Sequence, residues 1–420
     1  MRQLYTALFY LLLPAVLLRL YWRGFKAPAY RRRWRERLGF YDSGAEQTNV
    51  IWFHAVSVGE AEAAFPLIRS VLARFPDSRI LVTTTTPTGS ARVQSVLGDQ
   101  VEHVYLPYDL PGVVCRFLAR FRPQLAVVME KEVWPNLFAA CAQRQIPLFV
   151  VNARLSERSA ANYQKIPRLI GPALQCITQI ATQTDEDRER FIQIGAEPTQ
   201  LRVMGNLKFD VTIDAAVIES GQALKRDLFA GRFVWMLASS HHDEEARLLS
   251  VYRSLKATIP QLVLMIAPRH PERFQTVANL CRDSGLAVAT RSSSVAITAI
   301  TDVYLADSMG ELKMLYAAAD VAFVGGSLVP VGGHNVLEPA AVGVPVLFGP
   351  EMFNFKEIAE RMLQENAAVQ CNNIEEVAAA IATLYREAEV RTALAENAKA
   401  FIARNQGATE RIAEMLSHAL

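Results

Sequence analysis

Val321-Ala322-Phe323-Val324 leads into Gly325-Gly326-Ser327, and Gly332-Gly333-His334-Asn335-Val336-Leu337-Glu338-Pro339 follows within a few residues. An apolar run, a glycine-rich loop and a proline tolerated only in a first helical turn read as strand, loop and helix, the helix beginning close to Asn335. Backbone N–H groups and the positive end of the helix dipole then favour a phosphate above the loop. Glu338 is placed to accept from ribose hydroxyls, as acidic residues do in dinucleotide folds. A structural alternative stands beside this: Asn335 and Glu338 also fit an Asn-x-x-Glu capping box.

The same alternation of short apolar runs and amphipathic stretches fills the chain. Strands are expected at 50–54, 79–84, 101–106, 125–129, 148–152, 179–183 and 202–204, with helices between them such as 61–75 and 111–121. After a helical linker around 211–229 the pattern restarts, with strands at 233–237, 262–267, 286–290, 303–305, 321–324 and 344–348. The fold class is α/β, with parallel doubly wound sheets in two domains facing across a cleft. A chain of 420 residues also suits two cores better than one. The expected division is an anchor at 1–24, one domain at 25–210 and a second at 211–420.

Charged residues make up 20% of the chain and the net charge is +2, so no global field points to nucleic acid. The charge is uneven, however. The run 4–18 carries no charge, and Arg19, Arg23, Lys26, Arg31, Arg32, Arg33, Arg35 and Arg37 follow it against Glu36 alone. A cleavable signal places its basic residues before the apolar run, so an uncleaved anchor is expected, and positive-inside logic puts the body in the cytoplasm. A single crossing is the first reading, with an interfacial helix as the alternative. The five cysteines are scattered, which argues for a reduced body with neither a disulfide framework nor a zinc site.

Ligands in doubly wound sheets bind beyond the carboxyl ends of the strands. Glu60 follows the first strand in Ser57-Val58-Gly59-Glu60, either as a capping-box residue or as a general base. Glu130-Lys131-Glu132 follows another strand, and Lys208 lies near the end of the first half. In the second half Arg269 could hold a phosphate, and Asp307-Ser308-Met309-Gly310-Glu311 has a similar strand-end place. His241-His242 reads as a helix start, because adjacent positions diverge around a helix. No metal is expected.

Together these residues bring a family into view. Lys26-Ala27-Pro28-Ala29-Tyr30-Arg31, Ser57 to Glu60, Tyr105-Leu106-Pro107-Tyr108-Asp109, Trp134-Pro135-Asn136, Asn152-Ala153-Arg154-Leu155-Ser156 and Pro268 to Phe274, in that order, resemble the Kdo transferases of lipopolysaccharide assembly. These are inverting GT-B glycosyltransferases that move 3-deoxy-D-manno-octulosonic acid (Kdo) from CMP-Kdo to a lipid A precursor, lipid IVA, at the inner membrane. The resemblance implies Glu60 as general base, with Glu130 and Lys208 assisting the transition state. It also implies that Pro268, Arg269, Met309, Gly310, Glu311, Asn335, Val336, Leu337 and Glu338 hold CMP, without cofactor or metal. Two positions depart from the family pattern: Lys131 stands where Thr is usual, placing a cation beside Glu130, and Asp243 stands where Gly is frequent, which questions a positive-φ requirement there. Another lipid-acceptor GT-B enzyme using a UDP-sugar, or a non-enzymatic membrane adaptor, are the alternatives. A Glu-x7-Glu pattern is absent because Val346 stands eight residues after Glu338.

Overall fold

The computed structural model describes residues 1–41, 48–293 and 297–420. They form two compact units, Met1–Asp210 with Asn405–Leu420, and Val211–Arg404. The first holds β1 (Val50–His54), β2 (Arg79–Thr84), β3 (Val101–Tyr105), β4 (Pro123–Met129), β5 (Leu148–Ala153), β6 (Gln179–Thr182) and β7 (Leu201–Val203). All are parallel, in the order β3-β2-β1-β4-β5-β6-β7. Every residue of β1 is buried, as a strand covered by helices on both faces requires. The order reverses between β1 and β4, so the crevice position of this sheet lies beyond His54 and Met129.

The second unit holds β8 (Phe233–Ser240), β9 (Leu262–Pro268), β10 (Val288–Thr290), β11 (Val303–Leu305), β12 (Val321–Val324), β13 (Val346–Phe348) and β14 (Val369–Gln370). Their order is β10-β11-β9-β8-β12-β13-β14, again parallel, with the reversal between β8 and β12. Thirteen of the fourteen strands lie where the sequence pattern expects them, with ends shifted by a few residues. The two-residue β14 is too short to carry a pattern. The helix expected across 211–229 runs Ala215–Leu228 and packs inside the second unit rather than serving as a free linker. Gly221 makes that packing possible, because a Cβ there would stand 2.2 Å from the Met314 carbonyl oxygen.

One domain boundary changes. The second domain was expected to run to residue 420, but Asn405–Leu420 belongs to the first unit. Ala408, Ile412 and Leu416, one stripe of the helix Ala408–Ser417, join the core formed by Ala61, Ala64, Leu67 and Ile68 on the helix Val58–Arg74. The Asp210 carboxylate accepts from the backbone N–H groups of Gly407 (2.6 Å) and Thr409, and so caps that last helix from a distant part of the sequence. The N-terminal helix, Arg2–Lys26, is likewise part of the first unit rather than a separate piece.

Candidate active site in two halves

In the first unit β1 ends at His54, and the helix Val58–Arg74 begins behind Ser57. Ser57 Oγ accepts from the Glu60 N–H (3.3 Å), so the cap is real. The Glu60 side chain reaches back past the cap: Val56 N–H donates to Oε2 (2.8 Å) and the Ser57 hydroxyl donates to Oε1 (3.1 Å). Glu60 as a whole is 9% exposed. Burial pushes its pKa up to about 7, with Glu130 and Glu132 adding to the rise and the Val56 and Ser57 hydrogen bonds opposing it. The side chain that closes the cap therefore also carries a carboxyl that titrates near neutral pH.

Glu130, just after β4, is the neighbour that the strand order predicts. It adopts φ 58, a left-handed conformation uncommon for a residue with a side chain, and donates its N–H to Val151 (2.9 Å). The cation beside its carboxylate is Arg154, at 3.7 Å, not the Lys131 that the sequence suggested. Lys131 is exposed and acts on Glu132, where it opposes a larger rise caused by burial. Lys208 lies in the turn Leu207–Phe209. That turn is pinned by Asn152, a fully buried residue at φ 54 whose Oδ1 accepts from the Leu207 N–H (3.0 Å) and whose carbonyl accepts from Gln183 (2.9 Å). Arg154 and Asn152 came to notice only inside the motif Asn152 to Ser156; no local signal gave their separate tasks.

In the second unit the glycine loop after β12 is not free for a phosphate. The fully buried Glu244 carboxylate accepts from the N–H groups of Gly326 (2.7 Å), Ser327 (3.0 Å) and Leu328 (3.0 Å), and from that of His241 (3.1 Å). The anion expected above this loop is supplied by the chain itself. Gly325 is required for close approach, since a Cβ would stand 2.6 Å from the Ser239 carbonyl. The short helix starts at Leu337, with Asn335 Oδ1 accepting from the Leu337 N–H (3.0 Å). Asp243 adopts φ 72, so the left-handed requirement that its identity had questioned is present and is met by Asp.

Around this loop three imidazoles gather. His241 and His334 stack with ring centroids 5.0 Å apart and Nε2 atoms at 2.7 Å, and His270 packs edge-on to His241 at 5.5 Å. Burial lowers the pKa of His334 to about 4, and the neighbouring His241, Arg269 and His270 lower it further in order of effect. His241 is lowered for the same reasons, burial first. His241 and His334 are therefore neutral near pH 7, and the positive charge in this cluster is that of Arg269. Arg269 is exposed beyond the end of β9, whereas Arg273 is held by the buried Glu245 at 3.0 Å. Of the two guanidiniums in the Pro268 to Phe274 motif, Arg269 is thus the one directed to solvent. Glu311 is paired with Arg291 at 2.8 Å, which fixes the Met309–Gly310–Glu311 turn, where Gly310 takes φ 85. Among the described residues no group of three His, Cys, Asp or Glu has metal-holding geometry.

Comparison with known proteins follows the same division. Residues 32–211 match the family described as 3-deoxy-D-manno-octulosonic-acid transferase (kdotransferase), and residues 241–401 match glycosyl transferases group 1. Over 417 residues the chain is 38% identical to the 3-deoxy-D-manno-octulosonic acid transferase of Haemophilus influenzae, covering 99% of this chain and 98% of that one. The chain belongs to the Kdo transferases. Its likeness to the transferase of Bordetella pertussis is 38% over 375 residues, covering 87% of this chain and 86% of the other. The fold of this transferase is also similar to the UDP-GlcNAc 2-epimerase of Neisseria meningitidis, with a TM-score of 0.55 at 14% identity over 88% of this chain and all of that one. With the family matches over residues 32–211 and 241–401 and its two parallel seven-stranded sheets, the transferase is a glycosyltransferase of GT-B type.

Proposed function

We propose that this transferase moves Kdo from CMP-Kdo to a lipid A precursor, lipid IVA, with inversion and without a metal ion, at the cytoplasmic face of the inner membrane. The observation that carries the mechanism is Glu60, a carboxylate at the reversal point of the first sheet with its pKa pushed up to about 7. A base poised near the working pH is the one best suited to proton transfer. Glu60 takes the proton of the acceptor hydroxyl as its oxygen bonds to the anomeric carbon of Kdo. The bond from that carbon to the CMP phosphate breaks, and its electron pair leaves with CMP. Glu130 and Lys208 stabilise the transition state, Glu130 being kept in place by its backbone bond and by Arg154.

Pro268, Arg269, Met309 to Glu311 and Asn335 to Glu338 are assigned to CMP. The exposed guanidinium of Arg269, beyond the end of β9, supports an anionic leaving group there. Lipid IVA as acceptor is supported by the Kdo transferase relatives and by the apolar helix Arg2–Phe25. Purified protein supplied with a CMP-Kdo generating system and lipid IVA should release CMP and yield an acceptor heavier by one or more Kdo units, read by mass spectrometry. Transfer from a UDP-sugar instead would overturn the donor assignment.

Arg269→Ala should weaken CMP binding by about 1.5 to 3 kcal/mol, roughly 10- to 150-fold, through loss of a charge-assisted hydrogen bond. Calorimetry with CMP checks this, and an unchanged affinity in the folded variant would move the phosphate elsewhere.

A further inference from the structure

The N-terminal helix Arg2–Lys26 is long and apolar enough to cross a bilayer, yet it is held to the body at its beginning. In its second turn Thr6 Oγ1 lies 3.0 Å from Asn136 Nδ2 and 3.1 Å from Asn136 Oδ1. Asn136 is buried, and Asp109 holds it through its N–H at 3.0 Å. One turn further, the Phe9 ring packs edge-on to Tyr108 at 6.1 Å. The far end is tied back as well. Arg31 lies over the rings of Phe25 at 3.9 Å and Tyr21 at 4.4 Å, and Arg33 then re-enters the body by donating to the His103 carbonyl at 2.5 Å.

A crossing helix would place its first turns roughly 30 Å of hydrocarbon away from the side that holds the body. Thr6 could then meet neither Asn136 nor any other residue of the folded unit. The pattern along the helix agrees with this. Tyr5, Phe9, Leu13, Val16 and Leu20 are half-buried, whereas Leu4, Leu8, Leu11, Leu18 and Trp22 are exposed. At ~100° per residue these sets occupy opposite sides of the helix. Arg19, Arg23, Arg31, Arg32 and Arg35 are all exposed around its second half, while Glu36, the one acidic residue between Arg19 and Arg37, is engaged by Arg33 at 2.6 Å.

We propose that this helix does not cross the membrane but lies in its plane, its Thr6 side clasped to the first unit and its Leu4-Leu11-Trp22 side sunk into an anionic leaflet. The single crossing expected from length and composition gives way to the interfacial alternative. Apolar residues supply the insertion, and the arginines supply attraction to lipid phosphates. The proposal rests on the membrane reading given above and deepens it by fixing the side on which residue 1 lies.

The test uses the full chain with an epitope before Met1, in sealed membranes. In-plane placement predicts that protease removes the epitope from inside-out vesicles and spares it in intact spheroplasts. The reverse result would overturn the proposal while leaving membrane attachment standing, whereas a chain absent from the membrane fraction would overturn both. A second measurement uses the pair Thr6→Cys and Asn136→Cys in vesicles. Oxidation should join them within one chain, as seen by mass spectrometry of the linked peptides, and failure to join beside a folded, active control would also overturn the clasp. Neither measurement depends on the donor, so Kdo transfer and helix placement fail or survive separately.

Discussion

Glu60→Gln is expected to lower Kdo transfer by about 10²-fold or more, the usual size of a general-base contribution, while the fold and CMP binding persist. The amide keeps the shape of the side chain and one acceptor for Val56 or Ser57, but it cannot take a proton. The wild-type rate should climb as pH rises through about 7, where the Glu60 carboxyl ionises, and the residual rate of the variant should lack that limb. Stability gives an independent check. The folded pKa lies above the unfolded value, so the stabilisation attached to the neutral carboxyl is complete below about 4.5 and is lost as pH rises through about 7. Glu60→Gln escapes that loss, so its melting temperature should gain on the wild type between pH 5 and pH 8. Near-native turnover in the variant would reduce Glu60 to a helix cap.

Glu244→Ala should be the most damaging single change to the second unit. Its carboxylate meets four backbone N–H groups, of His241, Gly326, Ser327 and Leu328, in a place without exposure. Removing it leaves those donors buried without an acceptor, a cost of about 3 to 5 kcal/mol. For a unit of this size that corresponds to a melting temperature lower by roughly 10 °C. Glu244→Gln retains one acceptor oxygen and should fall between the two. A calorimetric scan of Glu244→Ala that overlays the wild type would show that the loop does not need its internal anion.

These two glutamates also mark what could be seen in the sequence and what could not. Glu60 was visible because its partners Val56 and Ser57 are within four residues, and because a capped helix start directly after an apolar run is a local signal. Glu244 was not, because its main partners are more than eighty residues away and nothing local distinguishes an acidic first-turn residue from a buried anchor. The glycine loop reads in the sequence as a phosphate site, whereas its N–H groups are taken by a side chain of the same unit. The left-handed place of Asp243 was hidden in the same way, since an aspartate tolerates that conformation without announcing it. The strands came through because alternation of buried runs repeats along the whole chain. The grouping of His241, His270 and His334 did not, because three loops bring it together.

The return of Asn405–Leu420 to the first unit has a bearing on biosynthesis. Almost two hundred residues, Val211–Arg404, separate Asp210 from the helix it caps. As the chain leaves the ribosome, the apolar stripe of the helix Val58–Arg74 that Ala408, Ile412 and Leu416 will cover stays open until residues 405–420 have emerged. The second unit, made of one unbroken stretch, can close first. The unit that carries Glu60 thus closes after the second, so a chain released before residue 405 would lack a finished first unit even when its second unit had folded.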